Sequence, residues 1–381
     1  MTPAPFGFRV VARSNECGAR TAVFSTPHGE VETPAFMPVG TRGTVKGVLP
    51  RDLFAAGARM ILANAYHLHL RPGEETVARL GGLHRLMGWD GPILTDSGGY
   101  QVFSLAHLAR VDDDGVTLRS VVDGAAVRLT PESVVDLQRR LGADVAMAFD
   151  HCPADPTDRA AVEAATERTR VWLARCVARH ESHGGAASGQ ALFGIVQGGV
   201  FEDLRRASAE SALAHDLVGY AIGGVSVGEE REHVRAAVAA SAPLLPQDRP
   251  RYLMGVGTPA DFFDAIESGL DLFDCVTPTR HGRTHSAFTS QGTVNLRNTG
   301  WKDDPSPLDP ACDCTACERF GKGTLRHLCA SGEMLGAMLL TLHNLRFFHR
   351  LLERIRAAIA EDRLLALRRE ILEPMTGKLS P

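Results

Sequence analysis

Three aspartates each close an apolar run: Asp96 in "PILTD", Asp150 in "DVAMAFD" and Asp274 in "LDLFD". Two carboxylates facing one another suit substitution at an anomeric carbon. One attacks and forms an ester, and the other gives and takes the proton of the leaving group. A third carboxylate beside an amide, Gln197 in "LFGIVQG", suits the edge of a flat, donor-rich heterocycle, since Asp accepts from N–H groups and Gln both donates and accepts. Gly223 and Gly224 let the backbone come close to such a ring, and Tyr100 and Met254 offer a flat or polarizable face. Directly after Asp274 comes a loop carrying Arg280, His281, Arg283 and His285, cations suited to placing phosphates. "GVGTPAD" (255–261) opens a helix whose free N–H groups extend that phosphate-binding arc.

These residues need a frame that brings run ends together. Eight short apolar runs cover 33–39, 59–66, 92–96, 144–150, 192–198, 219–224, 251–257 and 270–276. Apolar strands without alternation suit a parallel sheet buried on both faces. Helix-compatible segments separate most of them. In one, Thr130 caps, Pro131 takes the first helical position and Gly142 ends the helix. In another, Thr258, Pro259 and Gly269 repeat the pattern, with Asp261 set for a capping box. The α/β alternation predicts a closed (β/α)8 TIM barrel with its chemistry at the C-terminal strand ends. The alternative open doubly wound sheet lacks a G-x-G-x-x-G after its first strand. "RTAVFSTPHGEVETP" (20–34) reads as an N-terminal hairpin ahead of the barrel. "VTLRSVVDGAAVRLT" (116–130) reads as another, with Asp123-Gly124 as a type I′ turn.

"CDCTAC" places Cys312, Cys314 and Cys317 within six residues. Clustered thiols point to metal, and a fourth ligand comes from Cys329, His327, His343 or His349. His343 lies in a helical pattern with Met334, Leu335, Met338, Leu339, Leu342 and Leu345 on one side. Three thiolates and one imidazole make a closed, structural zinc site. "KDDPSPLDPA" marks a boundary, dividing a barrel at 1–301 from a zinc-binding helical region at 302–381.

With 44% hydrophobic and 23% charged residues in 381, the chain is not of disordered composition. A run long enough to span a membrane and a secretory leader are both missing from the sequence, which predicts a cytoplasmic protein. The formal charge is −4, yet residues 319–381 carry 11 Lys and Arg against 6 Asp and Glu, net +5, which leaves −9 elsewhere. A basic end on an acidic body is consistent with a local polyanion footprint.

"TDSGGYQVFS", "FGIVQGGVFEDLR", "GYAIGG" with "VGE", "YLMGVGTP", "FDCVTPTRHGRTH" and C-x-C-x-x-C followed by His together resemble the tRNA-guanine transglycosylases, in order and over most of the chain. The resemblance implies a zinc-bearing barrel that exchanges guanine at the wobble position of certain tRNAs. In bacteria the incoming free base is 7-aminomethyl-7-deazaguanine, a step toward queuosine. It implies Asp274 as nucleophile at ribose C1′ and Asp96 as general acid and base. Asp150, Gln197 and Gly224 then hold the base, with Ser97, Gly98, Gly99, Tyr100 and Met254 around it. RNA contacts fall to Gly255, Val256, Gly257, Thr258, Pro259, Ala260 and Asp261, to Thr279, Arg280, His281, Gly282 and Arg283, and to Lys46. Zinc falls to Cys312, Cys314, Cys317 and His343, and a homodimer is implied.

Two positions depart from the pattern of the resemblance. His151 stands where Glu usually follows the base-reading Asp, and Val225-Ser226 stand where Leu-Ala is usual. Cys152 and Val227 agree with the bacterial form. Three rival readings are queuine as the incoming base, a non-catalytic tRNA-binding subunit and a barrel glycosidase. The presence of both Asp96 and Asp274 opposes the second, and the arginine segment and zinc cluster oppose the third.

Overall fold

Burial along their whole length explains why the short apolar runs become adjacent parallel strands. Ile61–Asn64, Ile93–Asp96 and Ala191–Val196 expose no residue to solvent, so each must be covered on both faces. In the computed structural model, which describes residues 5–104, 109–225, 231–375 and 378–379, they belong to one eight-stranded sheet. Its strands in chain order are β1 (Ala35–Pro38), β2 (Ile61–Asn64), β3 (Ile93–Asp96), β4 (Val145–Met147), β5 (Ala191–Val196), β6 (Gly219–Ile222), β7 (Arg251–Leu253) and β8 (Leu272–Cys275). The spatial order follows the chain from β2 to β8, and β8 then pairs with β1. A parallel bridge between Val39 and Leu62 closes the seam between β1 and β2. All eight expected runs supply a barrel strand, in the expected order.

The barrel interior is filled by Met37, Leu62, Leu94, Met147, Ile195, Tyr252 and Leu272. Phe24 and Val31 join that cluster from an antiparallel sheet of Gly7–Arg13, Arg20–Thr26 and Gly29–Thr33. The expected hairpin is therefore two strands of a three-stranded plug at the N-terminal end of the barrel. Arg20 anchors the plug through a buried two-toothed pair with Asp271, Nε to Oδ1 at 3.0 Å and Nη2 to Oδ2 at 2.6 Å.

The second expected hairpin pairs Gly115–Arg119 with Ala126–Leu129 and gains a third strand, Ala109–Asp112. Its turn is not type I′. Gly124 has φ +75°, but Asp123 is not among the positive-φ residues, as both central residues of that turn must be. Instead the loop closes through Ser120 N–H to the Ala125 carbonyl and Gly124 N–H to the Ser120 carbonyl. Both capped helices form as read: Pro131–Leu141 with a Thr130–Ser133 capping box and Gly142 at its end, and Pro259–Glu267 with the Thr258–Asp261 box.

The segment after β8, expected as a loop, is a short helix, Thr277–Arg283. The long helix Met334–Ala360 crosses it so closely that a Cβ on Gly282 would lie 2.6 Å from the Thr341 nitrogen. That long helix buries Leu345, Phe348, Leu352 and Ile355 in the same core as the barrel's outer face, with Phe348 stacked 5.4 Å from Phe36 of β1. Its first turns depart from the expected apolar side. Leu339 and Leu345 are buried, whereas Met334, Leu335 and Met338 are exposed, Met334 by 80%.

Candidate active site and metal centre

The C-terminal strand ends enclose a cavity of about 290 Å³. Its wall includes Asp96 from β3, Asp150 after β4, Gln197 after β5, Gly223 and Gly224 after β6, Met254 after β7 and Asp274 from β8. Ser97, Gly99, Tyr100, Gly255 and Arg280 line it too. The three carboxylates thus converge because each lies at or just past the C-terminal end of a strand whose apolar residues are consumed by the two faces of the sheet.

Each carboxylate is held differently. Asp274 Oδ1 accepts from the Tyr252 hydroxyl at 2.5 Å and from Gly255 N–H at 2.7 Å. Burial pushes its carboxyl up, and those two hydrogen bonds oppose the rise. Asp96 accepts from Ala65 N–H at 2.8 Å and from the Asn64 side-chain amide. Asp150 accepts from Gln197 Nε2 at 2.7 Å and from Ser97 Oγ at 3.3 Å. Burial outweighs both bonds and lifts its pKa to about 6.

The other face of the Gln197 amide is the informative one. Among the described residues its buried Oε1 has no hydrogen-bond partner, an acceptor that a ring N–H entering the cavity would satisfy. Glycine is required beside it. A Cβ on Gly224, whose φ is +63°, would lie 2.2 Å from Gln197 Oε1, and one on Gly99 would lie 2.1 Å from Asp150 Oδ1. The polar slot therefore has backbone, not side chain, on two sides. Tyr100, 55% exposed, stands at the rim, and Met254 packs partly against the barrel interior.

Several residues the sequence reading passed over complete this arrangement. Tyr252 and Asn64 position the two carboxylates proposed for chemistry. Arg205, fully buried, donates from Nε to the Gly199 carbonyl at 2.6 Å and from both Nη atoms to the Gly223 carbonyl at 3.3 Å, fixing the glycine-rich strand ends. Asn64 ends β2 as the aspartates end their strands, a signal that was present. Tyr252 and Arg205 fall within the motifs "YLMGVGTP" and "FGIVQGGVFEDLR", but nothing in the strand or the helix around them marks these positioning roles.

Not every expected contact faces the cavity. Arg280 is exposed but lines the cavity, whereas the exposed Lys46 does not; with Arg42, Lys46 acts on His67, a cavity residue whose pKa is lowered by burial and by those two cations. Arg283 turns one guanidinium nitrogen back to the Thr279 carbonyl at 2.8 Å. His281 stacks on Phe288 at 5.0 Å, Thr279 and Gly282 are buried under the long helix, and Gly98 lies in the strand-to-helix turn with φ +88°. Of 255–261, only Gly255 lines the cavity. The helix start there is already occupied: Thr258 Oγ1 takes the Asp261 N–H, and Asp261 pairs with Arg231 at 3.0 Å. An acid at that position disfavours a phosphate on the free N–H groups.

His151 is turned away from the cavity wall. Its Nδ1 accepts from Arg168 at 3.1 Å and its ring lies 6.3 Å from Trp172. Burial, with the nearby Arg168 charge, holds its pKa down at about 4. Cys152 and Val225 do line the wall, while Ser226 and Val227, with the rest of "VGE", lie outside the described residues.

Beyond the barrel, Cys312, Cys314, Cys317 and His343 bring their ligand atoms within 4.8 Å of one another. His343 Nδ1 faces Cys317 Sγ at 3.2 Å and Cys314 Sγ at 3.5 Å, while Nε2 points to the Phe288 carbonyl at 2.7 Å. A hydrogen bond from Nε2 leaves the Nδ1 lone pair for a metal, the usual outer support of a ligating imidazole. The donor set, three thiolates and one nitrogen, fits a four-coordinate metal ion. Cys329, His327 and His349 are not part of this group.

Among the described residues no helix is long and apolar enough to cross a membrane. Comparison with known proteins gives the family. The family profile described as Queuine tRNA-ribosyltransferase matches residues 15–376. A protein of that name from Solidesulfovibrio magneticus is 53% identical over 353 residues, covering 93% of this chain and 94% of its own. One from Thermus thermophilus is 52% identical over 377 residues, with 99% and 96% covered. One from Synechococcus elongatus is 51% identical over 376 residues, with 99% and 97% covered. The chain therefore belongs to the queuine tRNA-ribosyltransferase family and is an enzyme of the pentosyltransferase class.

Proposed function

We propose that this enzyme exchanges guanine at the wobble position of tRNA for 7-aminomethyl-7-deazaguanine, through a covalent ester between Asp274 and ribose C1′. The observation that carries this reading is the placement of Asp274 and Asp96, each on its own fixed donors, in one cavity that also holds the unsatisfied Gln197 acceptor. A nucleoside flipped out of the anticodon loop enters the cavity with its edge available for reading. The Asp274 carboxylate forms the C–O bond as the C1′–N9 bond breaks, and Asp96 supplies the proton that guanine leaves with. Asp96 then takes the N9 proton of the incoming base, which attacks C1′ and releases Asp274. Two inversions give retention, with a base in place of the water used by retaining glycosidases.

Asp150 and Gln197 hold the base edge in this reading, with Gly224 and Met254 close to the ring and Ser97 to Tyr100 around it. The tRNA backbone lies over Arg280, Arg283 and Lys46, and the 255–261 and 279–283 stretches border its path. The Cys312, Cys314, Cys317 and His343 group holds structural zinc, which would supply no chemistry to the cavity and would tie residues 312–317 to the long helix. The division at residue 301 into barrel and zinc-bearing region belongs to the same proposal. So does a homodimer, supported by the exposed Met334, Leu335 and Met338 beside that region, and so does a cytoplasmic location.

Loss of radiolabelled guanine from tRNA, with 7-aminomethyl-7-deazaguanine and queuine in competition, tests the assignment. The aminomethyl base should compete strongly. Queuine outcompeting it by a wide margin would overturn the choice of base and leave the exchange reaction standing.

A further inference from the structure

At the end of the barrel opposite the cavity, three elements bring two imidazoles onto one carboxylate. Asp144 sits immediately before β4, its side chain fully buried, and its Oδ2 accepts from the N–H of Ile93 at the start of β3 at 2.8 Å. His28, at the tip of the hairpin between Arg20–Thr26 and Gly29–Thr33, places Nδ1 at 2.7 Å from Asp144 Oδ1. His84, on the helix Gly82–Met87, places Nε2 at 3.2 Å from Oδ2. The two rings stack with centroids 3.7 Å apart and an angle of 18° between planes. One ligand atom from each residue lies within 4.8 Å of the other two.

We propose that His28, His84 and Asp144 form a divalent transition-metal site of the zinc, nickel or copper class, separate from the cysteine cluster. Two imidazole nitrogens and a carboxylate oxygen are a donor set those ions take readily. The parallel rings already aim one nitrogen each at the same carboxylate, so metal entry needs small side-chain adjustments instead of refolding. On binding, each neutral ring carries its proton on the nitrogen away from Asp144, and the two N–H···O contacts give way to N–metal and O–metal bonds. The Ile93 N–H remains on the carboxylate as outer support. Solvent reaches the group past His28, whose side chain is 44% exposed, which provides an entry path and a place for water to complete the coordination. A metal there would clamp the N-terminal plug to the floor of the barrel, far from the transfer chemistry.

The test is calorimetric titration of the isolated protein with Ni²⁺, its zinc content measured before and after, alongside His28→Gln and His84→Gln. About one Ni²⁺ per chain should bind without loss of zinc, and each variant should bind it at least about tenfold more weakly. Thermal melting should show Ni²⁺ stabilising the wild type and neither variant. No uptake by the wild type, or uptake unchanged in the two variants, would overturn the proposal. His28 is at an exposed turn, so His28→Gln carries the test should His84→Gln fold poorly. None of these readouts depends on base exchange.

Discussion

The Tyr252 hydroxyl donates to Asp274 at 2.5 Å, from a side chain that is itself fully buried in the barrel interior. Among the described residues, both hydrogen bonds to Asp274 fall on Oδ1. The carboxylate is thereby oriented with Oδ2 as the oxygen presented for attack. The same bond opposes the rise that burial imposes on the Asp274 pKa.

Tyr252→Phe removes that bond and leaves the ring packing in place. Asp274 should then titrate higher, so the acid limb of the pH–rate profile moves to higher pH. We expect kcat to fall by about 10- to 100-fold with little change in KM for tRNA, a pattern read as lost transition-state positioning. Steady-state kinetics across pH would show it. An unchanged acid limb would mean that the hydroxyl does not act on the nucleophile.

Asp150 gives a stability prediction of definite sign. Its folded pKa, raised from 3.8 to about 6, means the folded state binds its proton more tightly than the unfolded state does. The penalty is therefore absent below the unfolded value, grows as pH rises between 3.8 and about 6, and is complete above that. The shift corresponds to at most about 3 kcal/mol. Asp150→Asn should stabilise the free enzyme at neutral pH in a denaturant melt, lose that advantage in acid, and bind the free base far more weakly.

Gly99→Ala places a Cβ against Asp150 Oδ1, 2.1 Å away in the unrelaxed structure. That oxygen, the acceptor of the Ser97 Oγ bond, must move, and the carboxylate's alignment on the Gln197 amide through Oδ2 shifts with it. KM for the free base should rise by more than about tenfold, while tRNA affinity in a filter-binding assay stays near that of the wild type.

Arg280→Ala should weaken tRNA binding without regard to the wobble base. The slope of log K against log salt should drop by about 0.7 for one lost single-strand phosphate contact. Binding titrations at several salt concentrations read this directly. A base-dependent loss would instead place Arg280 on the heterocycle.

Stripping a metal held by the cysteine cluster, or His343→Ala, should cost more than about 3 kcal/mol, since the buried thiolates lose the ion they share or the imidazole that completes its coordination. The loss should appear as a lower melting temperature and faster proteolysis between residues 302 and 333, with the cavity residues unaltered in their own contacts.

The barrel was legible because a strand buried on both faces must be apolar throughout, and a polar residue at its end then stands out, as at Asp96, Gln197 and Asp274. Caps were legible for a similar reason: Thr130 and Thr258 precede proline at a helix start. Tyr252 escaped notice because an aromatic inside a strand looks the same whether its hydroxyl meets water or a carboxylate. The meeting of His28, His84 and Asp144 depends on where the hairpin tip lands, which local pattern does not encode. The Asp123-Gly124 turn was misread because the dipeptide suits type I′ only when the loop has two residues, and here Ser120 and Ala125 close a longer one. Periodicity placed Met334 and Met338 on the apolar side of their helix, but Met334 is 80% exposed and Met338, beside Gly47, is 38% exposed.

A covalent ester on Asp274 would survive denaturation, so denaturing gel electrophoresis reveals it. Enzyme is incubated with a tRNA bearing guanine at the wobble position, with and without 9-deazaguanine to trap the intermediate. A shifted protein–tRNA band that survives denaturation and is lost in Asp274→Asn is the predicted result. No shifted band, with tRNA still bound under native conditions, would contradict the assignment of Asp274 as the nucleophile.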